Sequence, residues 1–218
     1  RDVNIGLANQ FAKYADSIAV DIYKVIESCN SQPFSHIHQP GIAVGGHCIP
    51  VYPRLYLWND PNASIIRAAR EENVGMPTYA VQLLEEQLVS LTDRQILVLG
   101  VAYRPQVKET AFSGVFPLVS ALEQCGAVAS VHDPMYSSNE LEAMNLRPHE
   151  LGRVYDGLII HTAHESYLNE DFGLLALAPV VVDGRNLLSN CRLEGVNVIR
   201  LGASRLSGFE PGAADANC

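Results

Sequence analysis

Apolar side chains recur every three or four positions through the first part of the chain. Within residues 1–29 they are Val3, Leu7, Phe11, Ala15, Ile18, Ile22, Val25 and Ile26. This period is that of an amphipathic helix, and charged or amide side chains occupy its other face. Residues 30–61 lack the period and are rich in proline and glycine, which favours an ordered loop over regular structure.

A second helical period runs over residues 63–91. The tripeptide at residues 75–77, Gly-Met-Pro, lies inside it. Because proline lacks the backbone N–H that a helix interior uses, two helices divided at this tripeptide are predicted. The long apolar face of this segment must be covered by something, so one open interpretation is that residues 63–91 mainly build a dimer.

From residue 92 onward the pattern changes to short apolar runs separated by helical or loop segments. The predicted strands cover residues 95–100, 128–132, 157–161 and 180–182, with a weaker candidate at 196–201 and a helix near 113–125. Such runs are typical of strands buried on both faces, and their alternation with helices predicts a parallel sheet. The predicted fold class is therefore α/β, with a helical domain at residues 1–91, a Rossmann-like parallel α/β domain at 92–202 and a flexible tail at 203–218.

Composition excludes several classes of partner. The net charge is −9, with 15 basic and 24 acidic residues, and no basic stripe suited to a nucleic acid is visible. No apolar run approaches the roughly 18 residues of a membrane span, so no membrane partner is expected. The five cysteines are scattered and odd in number, and no secretory leader opens the chain. A reducing, cytoplasmic location is expected on these grounds.

The run at residues 41–53 carries the strongest chemical signal: Gly-Ile-Ala-Val-Gly-Gly-His-Cys-Ile-Pro-Val-Tyr-Pro. Gly45 and Gly46 have no Cβ, so a ligand can approach their backbone, and nearby N–H groups could steady an oxyanion. His47 adjoins the thiol of Cys48. The pattern predicts that Cys48 is a covalent nucleophile. A buried cysteine in a Gly/Pro turn is the alternative.

A metal site is a second alternative for the same region. His36, His38, His47 and Cys48 form a cluster of plausible zinc ligands. No C-x-x-C pair accompanies them, and the approach of a ligand explains the double glycine better. We therefore predict no metal site.

Several short motifs occur in a fixed order over residues 1–190. They are Arg1-Asp2-Val3-Asn4-Ile5, His38-Gln39-Pro40, G-x-x-x-G-G-H-C-I-P, Arg67-Ala68-Ala69-Arg70-Glu71, Met76-Pro77, Gly100-Val101-Ala102-Tyr103-Arg104-Pro105, His132-Asp133-Pro134 and Val182-Asp183-Gly184-Arg185. Together they resemble the UDP-glucose/GDP-mannose 6-dehydrogenase family. The closest likeness is to the branch that acts on UDP-N-acetylmannosamine.

The resemblance implies an activity, a cofactor and partners. In this family a sugar's primary alcohol is oxidised twice, with NAD as acceptor, and the cysteine corresponding to Cys48 forms a thiohemiacetal and then a thioester. The implied partners are a UDP-sugar and a second copy of the chain, which packs through the central helices. The family's NAD-binding domain precedes the central helix and is expected to be absent here, so the chain resembles the second and third parts of a longer protein. The turn at residues 100–105 also lacks the later glycines of G-x-G-x-x-G.

The resemblance further implies a set of substrate-binding residues: Asn4, His38, Gln39, Gly45, Gly46, Tyr103, Arg104 and Arg185. Arg104 stands where the family has a phosphate-contacting lysine, and Arg185 matches an arginine on the nucleotide-sugar side. Each arginine also has a simpler interpretation. Arg104 could be a surface residue in a Pro-bounded loop, and Arg185 could form an ion pair with Asp183.

Three departures from the family pattern leave a non-catalytic alternative open. The family's catalytic lysine and asparagine would lie upstream of Arg1. Tyr52 replaces the aspartate that usually follows the cysteine by four residues, and Ala-Phe-Ser-Gly at 111–114 replaces Arg-Glu-Ser-Pro. The alternative is a nucleotide-sugar-binding or dimerisation module without catalysis of its own.

Overall fold

The computed structural model describes residues 1–169 and 172–204. Its first half is helical: α1 Asp2–Ser17, α2 Ile22–Asn30, α3 Cys48–Asn59 and α4 Ser64–Leu88. Strands and further helices follow in the order β1 Gln95–Leu99, α5 Val115–Gln124, β2 Val128–His132, α6 Ser138–Ala143, β3 Gly157–Ile160, α7 Ser166–Asn169, α8 Phe172–Leu175, β4 Val180–Asp183 and β5 Asn197–Arg200. From residue 205 onward, the predicted tail at 203–218 lies outside the described residues.

The strands form one parallel sheet in the order β2-β1-β3-β4-β5. Helices α4 and α5 cover one face, and α7 and α8 pack on the other, so the strands are buried on both sides. The predicted α/β class with a parallel sheet is confirmed, and the first four predicted strands agree with the observed bounds to within one residue. The weaker candidate at 196–201 is β5. The loops after β1, β2 and β3 meet at one edge of the sheet because parallel strands share a direction.

Helix α1 turns a small and polar face towards the rest of the chain. A Cβ added at Gly6 would lie 2.9 Å from Ala69 Cα on α4, so the two helices touch backbone to backbone. At the start of α1 the buried carboxylate of Asp2 accepts hydrogen bonds from Arg70 Nε at 2.6 Å and Asn73 Nδ2 at 2.8 Å. This contact fixes α1 on α4 beside the candidate site.

The large apolar side chains of α1 point away from the chain. Four of them, and Ile18 directly after the helix, are between 37% and 63% exposed and follow one face: Val3, Leu7, Phe11, Tyr14 and Ile18. We call these five residues the α1 stripe. The predicted helical period is confirmed. On α1 it marks mainly an exposed stripe, whereas Ala15 on α1 and Ile22 and Ile26 on α2 are buried in the core.

The single helix expected over residues 1–29 is two helices in the structure. Ala19 between them has φ 54°, a left-handed conformation that interrupts the helical path. Asp21 then caps α2, its side chain accepting a hydrogen bond from Tyr23 N at 2.9 Å. The apolar period continues across the break, which is why the sequence pattern did not reveal it.

Two expectations based on proline are wrong. The loop expected over residues 30–61 contains α3, where Pro50 lies in the first turn and its missing N–H has no helical partner to lose. The division expected at residues 75–77 does not occur, and α4 continues through Pro77. Met76 and Pro77 are buried, and their packing outweighs the lost hydrogen bond.

The apolar face of α4 is covered within the chain. Met76 and Leu84 are fully buried, and a Cβ added at Gly157 on β3 would lie 2.8 Å from Leu84 Cδ1. This part of the α4 face therefore needs no second subunit to cover it, and the interpretation that residues 63–91 mainly build a dimer stays a prediction.

The chain leaving β5 is fastened to the first helices. The buried carboxylate of Asp16 accepts hydrogen bonds from Gly202 N at 3.0 Å, Ser204 N at 2.6 Å and Tyr79 Oη at 2.7 Å. These bonds hold the end of the sheet against helices α1 and α4. Across residues 1–169 and 172–204, every helix is too short or too polar to span a bilayer.

Candidate active site

Cys48 is the first residue of α3, and its side chain is exposed. It opens onto a cleft of about 500 Å³ between α3 and the start of α1. The cleft is lined by Arg1, Asp2, Val3, Cys48, Ile49, Tyr52, Pro53, Tyr56 and Ile66. The alternative of a buried core thiol is wrong, and the thiol is placed where a ligand can reach it.

Tyr52 lies one helical turn after Cys48 and lines the same cleft, with 64% of the residue exposed. The carboxylate of Asp2 also borders this cleft. It is held by both Arg70 and Asn73, with Arg70 Nη2 2.6 Å from Asp2 Oδ1. This carboxylate is consequently engaged in the α1–α4 contact and is not free to act as a base.

Gly45 and Gly46 make room for a side chain of the chain itself. A Cβ at Gly45 would lie 2.4 Å from Tyr103 Cβ, and one at Gly46 would lie 3.2 Å from Tyr103 Cε2. Gly46 has φ +88°, which also favours glycine. Its N–H donates to Ala111 O at 2.8 Å, so this donor is not available for an oxyanion. The double glycine thus seats Tyr103 against the segment at residues 41–47 that leads into Cys48, here named the cysteine loop. A direct role of either glycine in binding a ligand stays a prediction.

Arg104 is exposed, and its guanidinium carbon lies 5.8 Å from the centre of the Tyr103 ring. The loop after β1, which carries Arg104, therefore presents a cation beside the cysteine loop. Lys108, further along the same loop, forms an ion pair with Glu140. Arg104 is the better candidate for an anionic ligand of the two.

Arg185 joins the sheet edge to the cysteine loop. Its Nε donates to His161 O at 2.8 Å, and its Nη2 donates to Ala43 O at 3.1 Å. The alternative interpretation of Arg185, an ion pair with Asp183, is not supported: Asp183 accepts the backbone N–H of Arg185 at 3.0 Å. Burial lowers the pKa of Arg185 and raises that of Asp183. A Cβ at Gly41 would lie 2.4 Å from Arg185 Nη1, so the loop crosses directly over this arginine.

Arg185 also borders a second cleft, of about 480 Å³. Its lining residues are Tyr23, Ile26, Glu27, Asn30, Gln39, Arg185 and Asn186. The structure therefore brings together two predicted substrate-binding residues, Gln39 and Arg185. His38 is half-buried beside Gln39, whereas Asn4 is exposed on α1 and lines neither cleft.

The zinc alternative gains no support from the geometry. Within the described parts of the chain, no three His, Cys, Asp or Glu side chains are grouped as metal ligands would be. His47 instead faces a carboxylate that the sequence reasoning missed, with its Nε2 3.5 Å from Glu109 Oε2. The backbone N–H of Ala111 and the His47 side chain lower the pKa of Glu109. Nothing in the sequence marked Glu109, because 62 positions separate it from His47.

A buried polar cluster lies at the carboxyl edge of the sheet. His161 Nδ1 lies 3.0 Å from Gly100 O. Burial, and next the charge of Arg185, lower the pKa of His161 to about 3, so the ring is neutral. The pair Asp133 and His164 lies beside it, with Oδ2 and Nε2 3.2 Å apart. Burial alone would raise the pKa of Asp133, but hydrogen bonds from His164 and from backbone N–H groups make the net shift downward.

Comparison with protein families accounts for both halves of this arrangement. Residues 1–74 match the model of the UDP-glucose/GDP-mannose dehydrogenase family, central domain, and residues 97–190 match the model of that family's UDP binding domain. The chain belongs to the UDP-glucose/GDP-mannose dehydrogenase family.

Individual relatives agree with this assignment. The chain is 34% identical over 196 residues to the UDP-N-acetyl-D-mannosamine dehydrogenase of Pyrococcus horikoshii. The matched region covers 86% of this chain and 46% of the relative. A solved structure of the UDP-D-ManNAc dehydrogenase from Pyrococcus horikoshii matches 94% of this chain and 49% of its own, with TM-score 0.80 and 30% identity. A UDP-glucose dehydrogenase from Pyrobaculum islandicum matches 93% of this chain and 48% of its own, with TM-score 0.77 and 28% identity. The chain thus spans about half the length of the curated relatives it matches.

Proposed function

We propose that the protein containing this chain is a nucleotide-sugar 6-dehydrogenase, which oxidises UDP-N-acetylmannosamine or a closely related UDP-sugar to its uronic acid. The product would supply uronic-acid sugars for a cell-surface polysaccharide. The observation that carries the proposal is the exposed Cys48 thiol at the start of α3, facing a cleft in a chain of this family. The names of the relatives support the choice of sugar.

Cys48 is the proposed nucleophile of the second oxidation. The first oxidation removes a hydride and a proton from the sugar's primary alcohol and leaves an aldehyde. The Cys48 thiolate adds to the aldehyde carbon, and the oxygen takes a proton to give a thiohemiacetal. Loss of the remaining hydride and of the hydroxyl proton converts this adduct into a thioester. Water then attacks the thioester carbonyl, which releases the carboxylic acid and returns the thiol.

NAD is the proposed acceptor of both hydrides, but the described residues do not fit it. The turn after β1 has one glycine at positive φ, Gly100, and a Cβ there would lie 2.3 Å from Thr162 Cβ. That space is filled by the protein, and α5 begins only at Val115. A pyrophosphate held by a glycine-rich turn and a helix N-terminus has no counterpart in the described chain. We therefore expect NAD to be bound mainly elsewhere in the whole protein.

The cleft that contains Gln39 and Arg185 is the proposed site of the nucleotide. Its tyrosine, amide and guanidinium groups suit a base and a ribose, and the UDP binding domain of the family includes Arg185. Arg104 is proposed to contact the diphosphate, because an arginine can hold phosphate oxygens with two N–H groups at once. His38, Gly45, Gly46 and Tyr103 would line the path between nucleotide and thiol, whereas the exposure of Asn4 outside both clefts gives its assignment no support.

The α1 stripe is the proposed contact with a second copy of the chain. It offers five apolar side chains on one helix face, and α1 leads directly into the cleft of Cys48. Homodimerisation through the central helices would bury this face. A cytoplasmic location remains a prediction from the sequence.

A second candidate is a nucleotide-sugar-binding module without catalysis. Tyr52 at the position of the family's aspartate, and the engagement of Asp2 by Arg70, favour it because the cleft then lacks a free carboxylate among its lining residues. The formation of NADH and uronic acid by the whole protein separates the candidates, because both predict the same behaviour for the 218-residue chain. The 218-residue chain should bind UDP in a calorimetric titration but form no NADH with NAD and the UDP-sugar. The whole protein should form NADH and uronic acid, and Cys48→Ser should abolish acid formation. UDP binding without NADH formation by the whole protein would favour the module.

A further inference from the structure

Beneath the loop of Tyr103 and Arg104 lies a buried pair of side chains, Asp133 and His164. Their side-chain exposures are 0% and 1%, and His164 Nε2 lies 3.2 Å from Asp133 Oδ2. The pair touches neither of the two clefts. Apart from each other, the two side chains bond to backbone N–H groups of this loop, at residues 101, 102 and 106.

Asp133 holds the beginning of the loop. Its Oδ2 accepts the N–H of Val101 at 2.7 Å and that of Ala102 at 3.3 Å, and its Oδ1 accepts the N–H of Met135 at 2.9 Å. A buried carboxylate with this many donors fixes the backbone that leaves β1.

His164 holds the other side of the loop. The N–H of Gln106 points to His164 Nδ1 at 3.4 Å, so the imidazole accepts at one nitrogen and donates to Asp133 from the other. Gln106 has φ 59°, a conformation that costs a residue other than glycine about 1 kcal/mol or more. The bond to His164 therefore helps to hold Gln106 in this strained conformation.

Tyr103 and Arg104 lie between these two attachments. The Tyr103 ring rests on Gly45 and Gly46, and the Arg104 guanidinium lies over that ring. We propose that Asp133 and His164 are positioning residues, which hold the loop so that Arg104 points to the diphosphate of the bound nucleotide. This inference rests on the proposed function, since it requires that Arg104 contacts the diphosphate.

The test compares two ligands that differ only in the diphosphate. In calorimetric titrations of the 218-residue chain, His164→Leu should weaken UDP binding by about tenfold, the effect of one charge-assisted contact, and leave uridine binding within about twofold. Because the effect passes through Arg104, adding His164→Leu to an Arg104→Ala variant should change UDP affinity no further. His164→Gln, which keeps an N–H towards Asp133, should recover most of the lost affinity.

The matched control is His149→Gln, at the same edge of the sheet, where the histidine bonds to Tyr155 and not to the loop. It should bind UDP as the unaltered chain does. Equal losses for UDP and uridine, or an undiminished effect of His164→Leu in the Arg104→Ala background, would overturn the inference. If His164→Leu does not fold, Asp133→Asn decides the matter on the same two ligands. Failure of the unaltered chain to bind UDP would overturn the proposed function as well. A UDP affinity that is unchanged in both His164→Leu and Asp133→Asn would overturn this inference alone.

Discussion

Cys48 and Tyr52 lie one helical turn apart on α3, and both line the same cleft. Residues four positions apart on a helix are neighbours on its surface. The position where the family resemblance implies an aspartate is therefore next to the nucleophile in space. A tyrosine hydroxyl there can donate a hydrogen bond but does not supply a carboxylate.

The first prediction concerns this tyrosine. In the whole protein, Tyr52→Phe should slow release of the acid by about tenfold, because one hydrogen bond to the water or the substrate is lost. Tyr52→Asp should release acid at least as fast as the unaltered protein. Rapid chemical quenching, with the thioester and the acid measured separately, checks both variants. Tyr56→Phe, in the same cleft one turn further on, is the control and should change the rate less than twofold. Acid release by Tyr52→Phe at the unaltered rate would show that the hydroxyl takes no part.

The second prediction concerns Gly45. Gly45→Ala would place a Cβ 2.4 Å from Tyr103 Cβ, so the loop that carries Arg104 must move. Overpacking of this kind costs about 1–3 kcal/mol, and UDP affinity should fall together with the melting temperature. Gly75→Ala on α4 is the control, since its nearest neighbour would be Lys13 Nζ at 3.8 Å and alanine favours a helix. Unchanged UDP binding and stability in Gly45→Ala would contradict the packing described for Tyr103.

The third prediction concerns the α1 stripe. Leu7→Asp, near its centre, should convert a dimer into a monomer, because burying a leucine contributes about 1.5–3 kcal/mol and a symmetric dimer loses this twice. Light scattering coupled to size-exclusion chromatography measures the mass directly. Leu151→Asp is the control, because Leu151 is 98% exposed in a turn far along the chain from α1. A dimer that survives Leu7→Asp would place the contact elsewhere.

The fourth prediction is a dependence of stability on pH. Burial and the charge of Arg185 lower the pKa of His161 from 6.5 to about 3, so the unfolded chain binds a proton that the folded chain excludes. The contribution of His161 is therefore fully present above pH 6.5 and is lost as the pH falls towards 3. Between these two pH values, each unit of decrease in pH should lower the free energy of unfolding by up to about 1.4 kcal/mol, because the unfolded chain binds the His161 proton.

Urea denaturation of the 218-residue chain between pH 7 and pH 4 checks the slope. His161→Asn keeps a donor for Gly100 O but cannot bind the proton. Its unfolding should therefore take up as much as one proton fewer, which makes the slope of stability against pH smaller. His36→Asn, at an exposed histidine, should follow the unaltered chain. Identical slopes for the His161→Asn variant and the unaltered chain would contradict the burial of an uncharged ring.

The sheet was predictable because its strands are short apolar runs whose length and burial leave little freedom. Cys48 was predictable because glycine, histidine and proline around a thiol form an unusual local pattern. Helix α3 was not predictable, since Pro50 and Pro53 suggest a loop to any rule that ignores the position of a proline within the helix. The exposed side of α1 was not either, because a helical period gives a face without saying which neighbour it meets.

The contacts of the site were the least predictable part. Arg185 bonds to the backbone of Ala43, 142 positions away, and no local pattern encodes that contact. Likewise the double glycine indicated a close approach, but only the structure shows that Tyr103 makes it. Close approaches are visible in a sequence, whereas the identity of the approaching group depends on the fold.

The capture of a substrate carbon by the Cys48 sulfur is the claim most directly open to measurement. The whole protein would be mixed with NAD and the UDP-sugar, quenched in acid during turnover and analysed by intact-mass and peptide mass spectrometry, with Cys29→Ser as a variant that should behave normally. We expect a sugar-nucleotide adduct on the peptide that contains Cys48, and none in Cys48→Ser. Accumulation of uronic acid without any adduct, together with full activity of Cys48→Ser, would contradict it.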